Sequence, residues 1–283
     1  MAEGRRHLNK EESGRYLEVL GIDPEYVESA PRDLALLSEL IDAHQTHVPF
    51  QTVSVSINEE EPSLDPDDLY EKIVLKKWGG YCFELNKMFE MLLESLGFDV
   101  RPIYSRSVRG RDGRMPINHR AMLVELHEGD VKGTAYADVG FGGPTPSGAL
   151  MLEDGLRQSF STGEFIPVNL KPGAWSIDRI TRGSADTFDD QIESRLQTEI
   201  ELYEYEIEDV DFELLNRALS QPGSLFRDTT IANLRTKDGH VSLRDDVLTI
   251  KDGESKTRRT LEEPGEFENA LAEHFGIEGI LQD

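Results

Sequence analysis

From residue 13 to about residue 100, apolar positions recur at steps of three and four, the period of a helix. One segment runs through Arg15–Tyr16–Leu17–Glu18–Val19–Leu20 and stops at Gly21. A second starts near Pro31 and carries Leu34, Leu36, Leu37, Leu40 and Ile41, with Pro49 as its latest possible end. Asn58 to Asp68 is acidic and proline-containing and reads as a solvated loop, with a short helix from Asp67 to Leu75. The strongest helix begins near Cys82, where Cys82, Leu85, Phe89, Leu92 and Leu96 form one apolar face, and Gly97 supplies its stop.

After Gly97 the pattern changes to short β-rich runs separated by Gly- or Asp-containing turns. Phe98–Ser107 and His119–Leu126 predict strands, with an Arg/Gly-rich loop from Ser105 to Pro116, and strands and loops continue from 131 to about 204. From Val210 a helix places Phe212, Leu215 and Leu219 on one face. A meander of Ile231–Arg235, His240–Arg244 and Val247–Lys251 follows, and a last amphipathic helix spans Glu266 to Phe275. No internal repeat is evident. The order is helical, then β, then mixed α/β, and 283 residues suffice for more than one layer or subdomain.

Charge narrows the partners. The net charge is -25 and the pI about 4.6, which repels phosphate backbones and argues against nucleic acid. Twenty Arg stand against ten Lys. Strong acidity with scarce Lys predicts a protein kept soluble in very high salt, where screening relieves carboxylate repulsion. Equal thermal stability with and without molar salt would contradict that expectation. Met1 to Lys10 has no apolar core of a signal peptide, and no apolar run reaches membrane-spanning length, so a cytoplasmic protein is expected. With a single cysteine, Cys82, no intramolecular disulfide or four-cysteine zinc site is possible.

Gly79–Gly80–Tyr81–Cys82 comes directly before the strongest helix. A thiol there feels the positive end of the macrodipole, which favours the nucleophilic thiolate. A small apolar residue capping a core helix is the alternative. A hairpin turning at His127–Glu128–Gly129–Asp130 and pairing Leu126 with Val131 sets His119 opposite Asp138, on a face shared with Thr134 and Tyr136. That aspartate can fix the imidazole tautomer and leave the other nitrogen for a thiol; a structural His–Asp pair fits the same geometry. His44 and His47, three apart, lack a third metal ligand and read as packing residues. Gly140–Phe141–Gly142–Gly143–Pro144 reads as a turn able to present backbone N–H groups to phosphate.

Taken together, Trp78–Gly–Gly–Tyr–Cys–Phe–Glu–Leu–Asn86, Asn118–His119 and Asp138–Val–Gly–Phe–Gly142 resemble the nucleophile, histidine and aspartate segments of the arylamine N-acetyltransferases, in the same order. Pro49–Phe50, Asp211–Phe212–Glu213, Asn216, Ser224–Leu225–Phe226 and His274–Phe275–Gly276–Ile277 extend the resemblance over nearly the whole chain. It implies an α+β multidomain fold with a papain-like catalytic core: a helical bundle (1–98), a central β-barrel (99–200) and a C-terminal α/β lid (201–283). It implies a Cys82–His119–Asp138 triad passing an acetyl group from acetyl-CoA, a co-substrate, to an aromatic amine or hydrazine by a ping-pong route without a metal. It also implies that Gly140, Gly142, Gly143 and Pro144 contact coenzyme A and that Phe141 lines the acceptor pocket. No membrane partner is implied.

The alternatives are an amide synthase of the same superfamily using a larger acyl thioester, a papain-like hydrolase, and a non-catalytic module. Two departures stand out: Trp78 and Gln51 occupy positions where the family usually has Arg and Glu, which implies that they pack near each other. An anionic coenzyme also calls for cations at its entrance, for which Arg106, Arg109, Arg111, Arg114 and Arg120 are candidates.

Overall fold

The computed structural model describes residues 6–109, 115–181 and 195–281. Its N-terminal third is helical: α1 (Lys10–Val19), α2 (Pro24–Ser29), α3 (Leu34–His47), α4 (Val53–Ser56), α5 (Pro66–Leu69) and α6 (Cys82–Ser95), with a π-helical turn at Tyr70–Leu75. Side-chain caps from Asn9, Asp23, Asp33 and Asp65 start α1, α2, α3 and α5 by accepting from free N–H groups. α6 is buried along almost its whole length, with Leu85, Met88, Phe89, Leu92 and Leu93 in the main apolar core.

Strands follow: β1 (Phe50–Gln51), β2 (Asp99–Ser107), β3 (His119–Leu126), β4 (Gly133–Ala137), β5 (Leu150–Met151), β6 (Gln158–Phe160), β7 (Gly163–Lys171), β8 (Ala174–Thr181) and β9 (Arg195–Tyr203). Apart from β1, they form an antiparallel sheet ordered β5-β4-β3-β2-β9-β8-β7-β6. The Gln158 side chain bonds both the N–H and the carbonyl of Met151, each at 2.9 Å, linking the two edge strands. The sheet is therefore a nearly closed barrel. Its inner face carries Ile103, Ala121, Leu123, Tyr136, Phe165 and Ile177. Met122, Val124, Leu126, Ala135 and Ala137 face the helices.

The last third holds α7 (Asp211–Ser220), α8 (Leu225–Asp228) and a second sheet, β1 followed by β10 (Ile231–Arg235), β11 (Gly239–Arg244), β12 (Val247–Asp252) and β13 (Ser255–Thr260). Helix α9 (Glu266–Phe275) covers one face of it, burying Leu271 and Phe275 against Val241, Leu243 and Leu248.

The hairpin register differs from the sequence expectation. Leu126 pairs with Gly133, not Val131, and Leu123 with Tyr136. Side chains of the turn are drawn elsewhere: His127 bonds Asp99 at 3.0 Å, and the Glu128 carboxylate accepts from the Arg32 N–H at 2.7 Å. The turn opens by two residues, Val131 is left exposed, and His119 and Asp138 sit diagonally. Because the slip is even, both keep the same face.

Candidate active site

Cys82 is the first residue of α6 and is buried. Glu84 accepts from the Tyr81 N–H at 3.0 Å and pairs with Lys72, from the π-helical turn, at 2.7 Å. A carboxylate in the first turn of a helix suits the macrodipole. Four residues on from Cys82, Asn86 stitches α6 to the barrel. Its Nδ2 donates to the Asp138 carboxylate at 2.9 Å and to the Arg120 carbonyl at 2.6 Å, and its Oδ1 accepts from the Val139 N–H at 2.9 Å.

His119 Nε2 lies 2.7 Å from Asp138 Oδ2, with both side chains buried. Cys82 is close enough to the imidazole to help raise its pKa, so the three side chains are neighbours. Tyr136 donates its hydroxyl to Asp138 Oδ2 at 2.6 Å, and the Gly140 N–H donates to Oδ1 at 2.9 Å. Gln45 donates to the Asp138 carbonyl at 3.0 Å. Burial alone would pull the His119 pKa down; the charge and hydrogen bond of Asp138, with Cys82 adding, outweigh it and push it up to about 10. Burial opposes ionisation of Asp138 too, yet His119, Tyr136 and Asn86 hold it below the ordinary carboxylate value.

These shifts fix a pH dependence of stability. His119 rises on folding from 6.5 to about 10, so its contribution is complete below pH 6.5 and is lost as pH rises through about 10. Asp138 falls below 3.8, so its contribution is present above that value and is lost as pH falls through its folded pKa. Thermal melts of His119→Gln against the native chain should differ most on the mildly acidic plateau, between about pH 4 and pH 6.5, and converge at the alkaline end.

Gly140 shows how tightly this corner is built. A Cβ there would lie 2.9 Å from Cys82 Cα, 3.0 Å from the Cys82 carbonyl and 2.9 Å from Asn86 Nδ2. Backbone on α6 cannot yield cheaply, so Gly140→Ala should cost ~1–3 kcal/mol and slow reaction of the Cys82 thiol with an electrophile on the order of a hundredfold through misplacement of the thiol. Melting temperature and the rate of thiol modification by mass spectrometry would read the two effects.

A cleft of about 760 Å³ opens beside Val139 and Phe141. Phe141, Gly142, Gly143 and Pro144 line it, whereas Gly140, Cys82 and His119 are not part of its lining. Phe141 is the partition, its ring 5.5 Å from that of His119 and nearly perpendicular to it. The far wall belongs to the second sheet. There Arg235, His240, Lys251 and Lys256 stand directly opposite one another across β10, β11, β12 and β13. Like charges so placed repel. Arg235 is paired with Asp42, whereas among the described residues no ion pair is seen for Lys237, Lys251 or Lys256. Burial first, and then Lys251 and Lys256, push the His240 pKa down.

Other candidates fall in different places. Arg120 faces the helices, bonded to Glu90 at 2.5 Å and Asp209 at 2.8 Å, so it is no part of a coenzyme entrance. Arg106 lies over Tyr203 and donates to its hydroxyl at 2.8 Å. Arg109 lines the cleft, and Arg111 and Arg114 lie outside the described residues. His44 is a core histidine bonded to the Tyr16 hydroxyl at 2.8 Å, its pKa lowered to about 3 by burial and then His47. Among the described residues no group of three His, Cys, Asp or Glu side chains is placed to hold a metal, and no helix is long and apolar enough to cross a membrane. The Trp78 and Gln51 segments run side by side, Phe50 bridging Gly80, but their polar atoms serve other partners: Trp78 Nε1 donates to Glu278, and Gln51 Oε1 accepts from Val53.

A sequence profile described as N-acetyltransferase matches residues 33–280. The chain belongs to the arylamine N-acetyltransferase family. As a member it is an acyltransferase. It is 28% identical to the arylamine N-acetyltransferase of Mycolicibacterium smegmatis over 94% of this chain and 91% of that one. A shorter match, 36% identical, links 44% of the chain to 42% of the Salmonella typhimurium arylamine N-acetyltransferase / N-hydroxyarylamine O-acetyltransferase. The fold matches the Mycobacterium marinum arylamine N-acetyltransferase solved in complex with CoA, with a TM-score of 0.79, 24% identity and coverage of 93% and 91%.

Proposed function

We propose that this chain transfers an acetyl group from acetyl-CoA to aromatic amines and hydrazines by a ping-pong route through acetyl-Cys82. The observation that carries the reading is the buried His119–Asp138 pair with Cys82 beside the imidazole, next to Phe141 at the wall of a cleft. His119 holds the thiol proton, and Cys82 Sγ attacks the thioester carbonyl. The bond from that carbonyl to the sulfur of coenzyme A breaks, and the leaving thiolate takes the proton from His119. The amine nitrogen then attacks acetyl-Cys82; His119 accepts a proton from nitrogen as the acetyl–sulfur bond breaks. Asp138 fixes the ring so that one nitrogen always faces Cys82.

The cleft supports an anionic donor. Lys237 and Lys251 on its far wall are concentrated positive charge in a chain of -25, with the His240 imidazole as a neutral partner, and phosphates of coenzyme A suit them, with Gly142, Gly143 and Pro144 on the near wall. The same reading divides the chain into a helical bundle (1–98), a barrel (99–200) and an α/β lid (201–283), with the papain-like pairing of a helix-borne cysteine and a sheet-borne histidine. A cytoplasmic enzyme fits a co-substrate found there.

Intact mass after mixing with acetyl-CoA, followed by an arylamine, tests the route. One acetyl group on Cys82, discharged as acetylated amine, is the expected result. Discharge to water at the same rate without amine would instead make the chain a hydrolase. Absence of any adduct would point to a larger acyl donor.

A further inference from the structure

Glu84 is a carboxylate in the same first helical turn as Cys82, and it is 2% exposed. Unbalanced, its charge would oppose the negative charge that Cys82 Sγ gathers as it attacks. Two contacts engage it. Its Oε2 accepts from the Tyr81 N–H at 3.0 Å, and its Oε1 accepts from Lys72 Nζ at 2.7 Å. The Lys72 side chain is itself largely buried. Nearby cations are turned elsewhere: Lys76 pairs with Glu71 at 2.7 Å and lies over the Trp78 ring, and Lys87 pairs with Asp209 at 3.3 Å. Among the described residues Lys72 is the one cation paired with Glu84.

The backbone around this pair is tightly constrained. Lys72 sits in the π-helical turn, where the Lys76 N–H reaches the Glu71 carbonyl at 2.8 Å. Such turns are rare and recur at functional sites. The chain then bends toward α6. The Trp78 N–H donates to the Lys72 carbonyl at 3.0 Å, and Lys77 and Gly79 take positive φ of 55° and 65°. A Cβ on Gly80 would lie 2.9 Å from Glu84 Oε2. Lys72 is thus tied by its carbonyl to the start of the loop that carries the nucleophile, and by its ammonium to the cap at the loop's end.

We infer that Lys72 is a positioning residue for the nucleophile: it fixes and neutralises the Glu84 carboxylate that caps Tyr81, so that Cys82 Sγ is held in place and free to take up negative charge. The inference rests on Cys82 being the nucleophile of the acetyl-transfer reading above. Lys72 acts only through Glu84.

The test follows single-turnover acetylation of Cys82 by 4-nitrophenyl acetate, a neutral donor that bypasses coenzyme A. Sγ bonds the acetyl carbon, 4-nitrophenolate leaves, and His119 holds the thiol proton. Released nitrophenolate and intact mass report the step, each variant being measured below its own melting temperature. Lys72→Met should lower the saturating rate at least about tenfold, the scale of one uncompensated like charge beside the sulfur. The half-saturating concentration should change less than about twofold. Lys72→Arg, which can still pair with Glu84, should restore most of the rate. In Lys72→Met with Glu84→Gln the amide oxygen can still cap Tyr81 without carrying charge, so the rate should return to within about threefold of native. Glu84→Gln alone does not depend on how well Lys72→Met folds; it keeps the cap and loses the charge, so acetylation should be at least as fast as native. A native rate in Lys72→Met, a double variant as slow as the single one, or a slower Glu84→Gln overturns the inference. A native chain that takes no acetyl on Cys82 overturns the acetyl-transfer reading itself, whereas native and Lys72→Met chains acetylated equally fast overturn the role of Lys72 alone.

Discussion

Asp138→Asn should lower kcat/KM for acetyl transfer by roughly 10⁴-fold. The reason lies in the donors around the carboxylate. Asn86 Nδ2 and the Gly140 N–H both donate to Oδ1, so an asparagine must keep its oxygen there. Its amide nitrogen then faces Tyr136, whose hydroxyl can turn to accept, and His119 Nε2, now 2.7 Å from a donor. Nε2 becomes the acceptor, the ring proton moves to Nδ1, and no lone pair is left for the Cys82 thiol. The shape of the side chain is kept, so the fold survives. Single-turnover acetylation by mass spectrometry, beside a melting curve and a circular dichroism spectrum, separates the loss of chemistry from loss of structure. A variant retaining a tenth of native activity would remove Asp138 from the triad.

How much of this was legible differs from residue to residue. The His119–Asp138 pairing could be read because strand parity has a period of two: the hairpin slips by two residues, and the two still share a face. The same parity turns Arg120 away from the site, a consequence the count of nearby arginines concealed. Tyr136 stood on the Asp138 face by the alternation, and Asn86 one helical turn from Cys82; what the sequence lacks is any sign that both converge on one carboxylate. Gln45 comes from a separate helix, and only tertiary packing brings it to the Asp138 carbonyl. Edge strand β13, Ser255–Thr260, has no apolar alternation and pairs by backbone alone, so it went unread. The cation row across β10 to β13 depends on the register of four strands at once, which no local pattern contains.

Arg120→Met should destabilise the protein by ~3–5 kcal/mol, the cost of stranding a buried partner charge, and lower the melting temperature by about 10 °C. Arg120 is fully buried, with Glu90 of α6 on one side and Asp209, just before α7, on the other. Its guanidinium also lies over Phe212 at 4.5 Å, and Lys87 reaches Asp209 at 3.3 Å. The network therefore fastens α6, β3 and the start of α7 together. Removing the cation leaves the Glu90 carboxylate in the core without its Arg120 bond, in a medium where an ion cannot be rehydrated. Replacing both ends, as in Arg120→Met with Glu90→Leu, removes both charges at once and should recover more than half of the loss. Chemical denaturation of the two single variants and the double gives the coupling energy directly. Activity supplies a second reading, because the Arg120 carbonyl accepts from the same Asn86 amide that holds Asp138. If the pair mattered to stability alone, the double variant would regain acetyl transfer along with its melting temperature. If it also sets the approach of β3 to α6, transfer stays low after stability returns, and the deficit measures how far the buried charges position the triad.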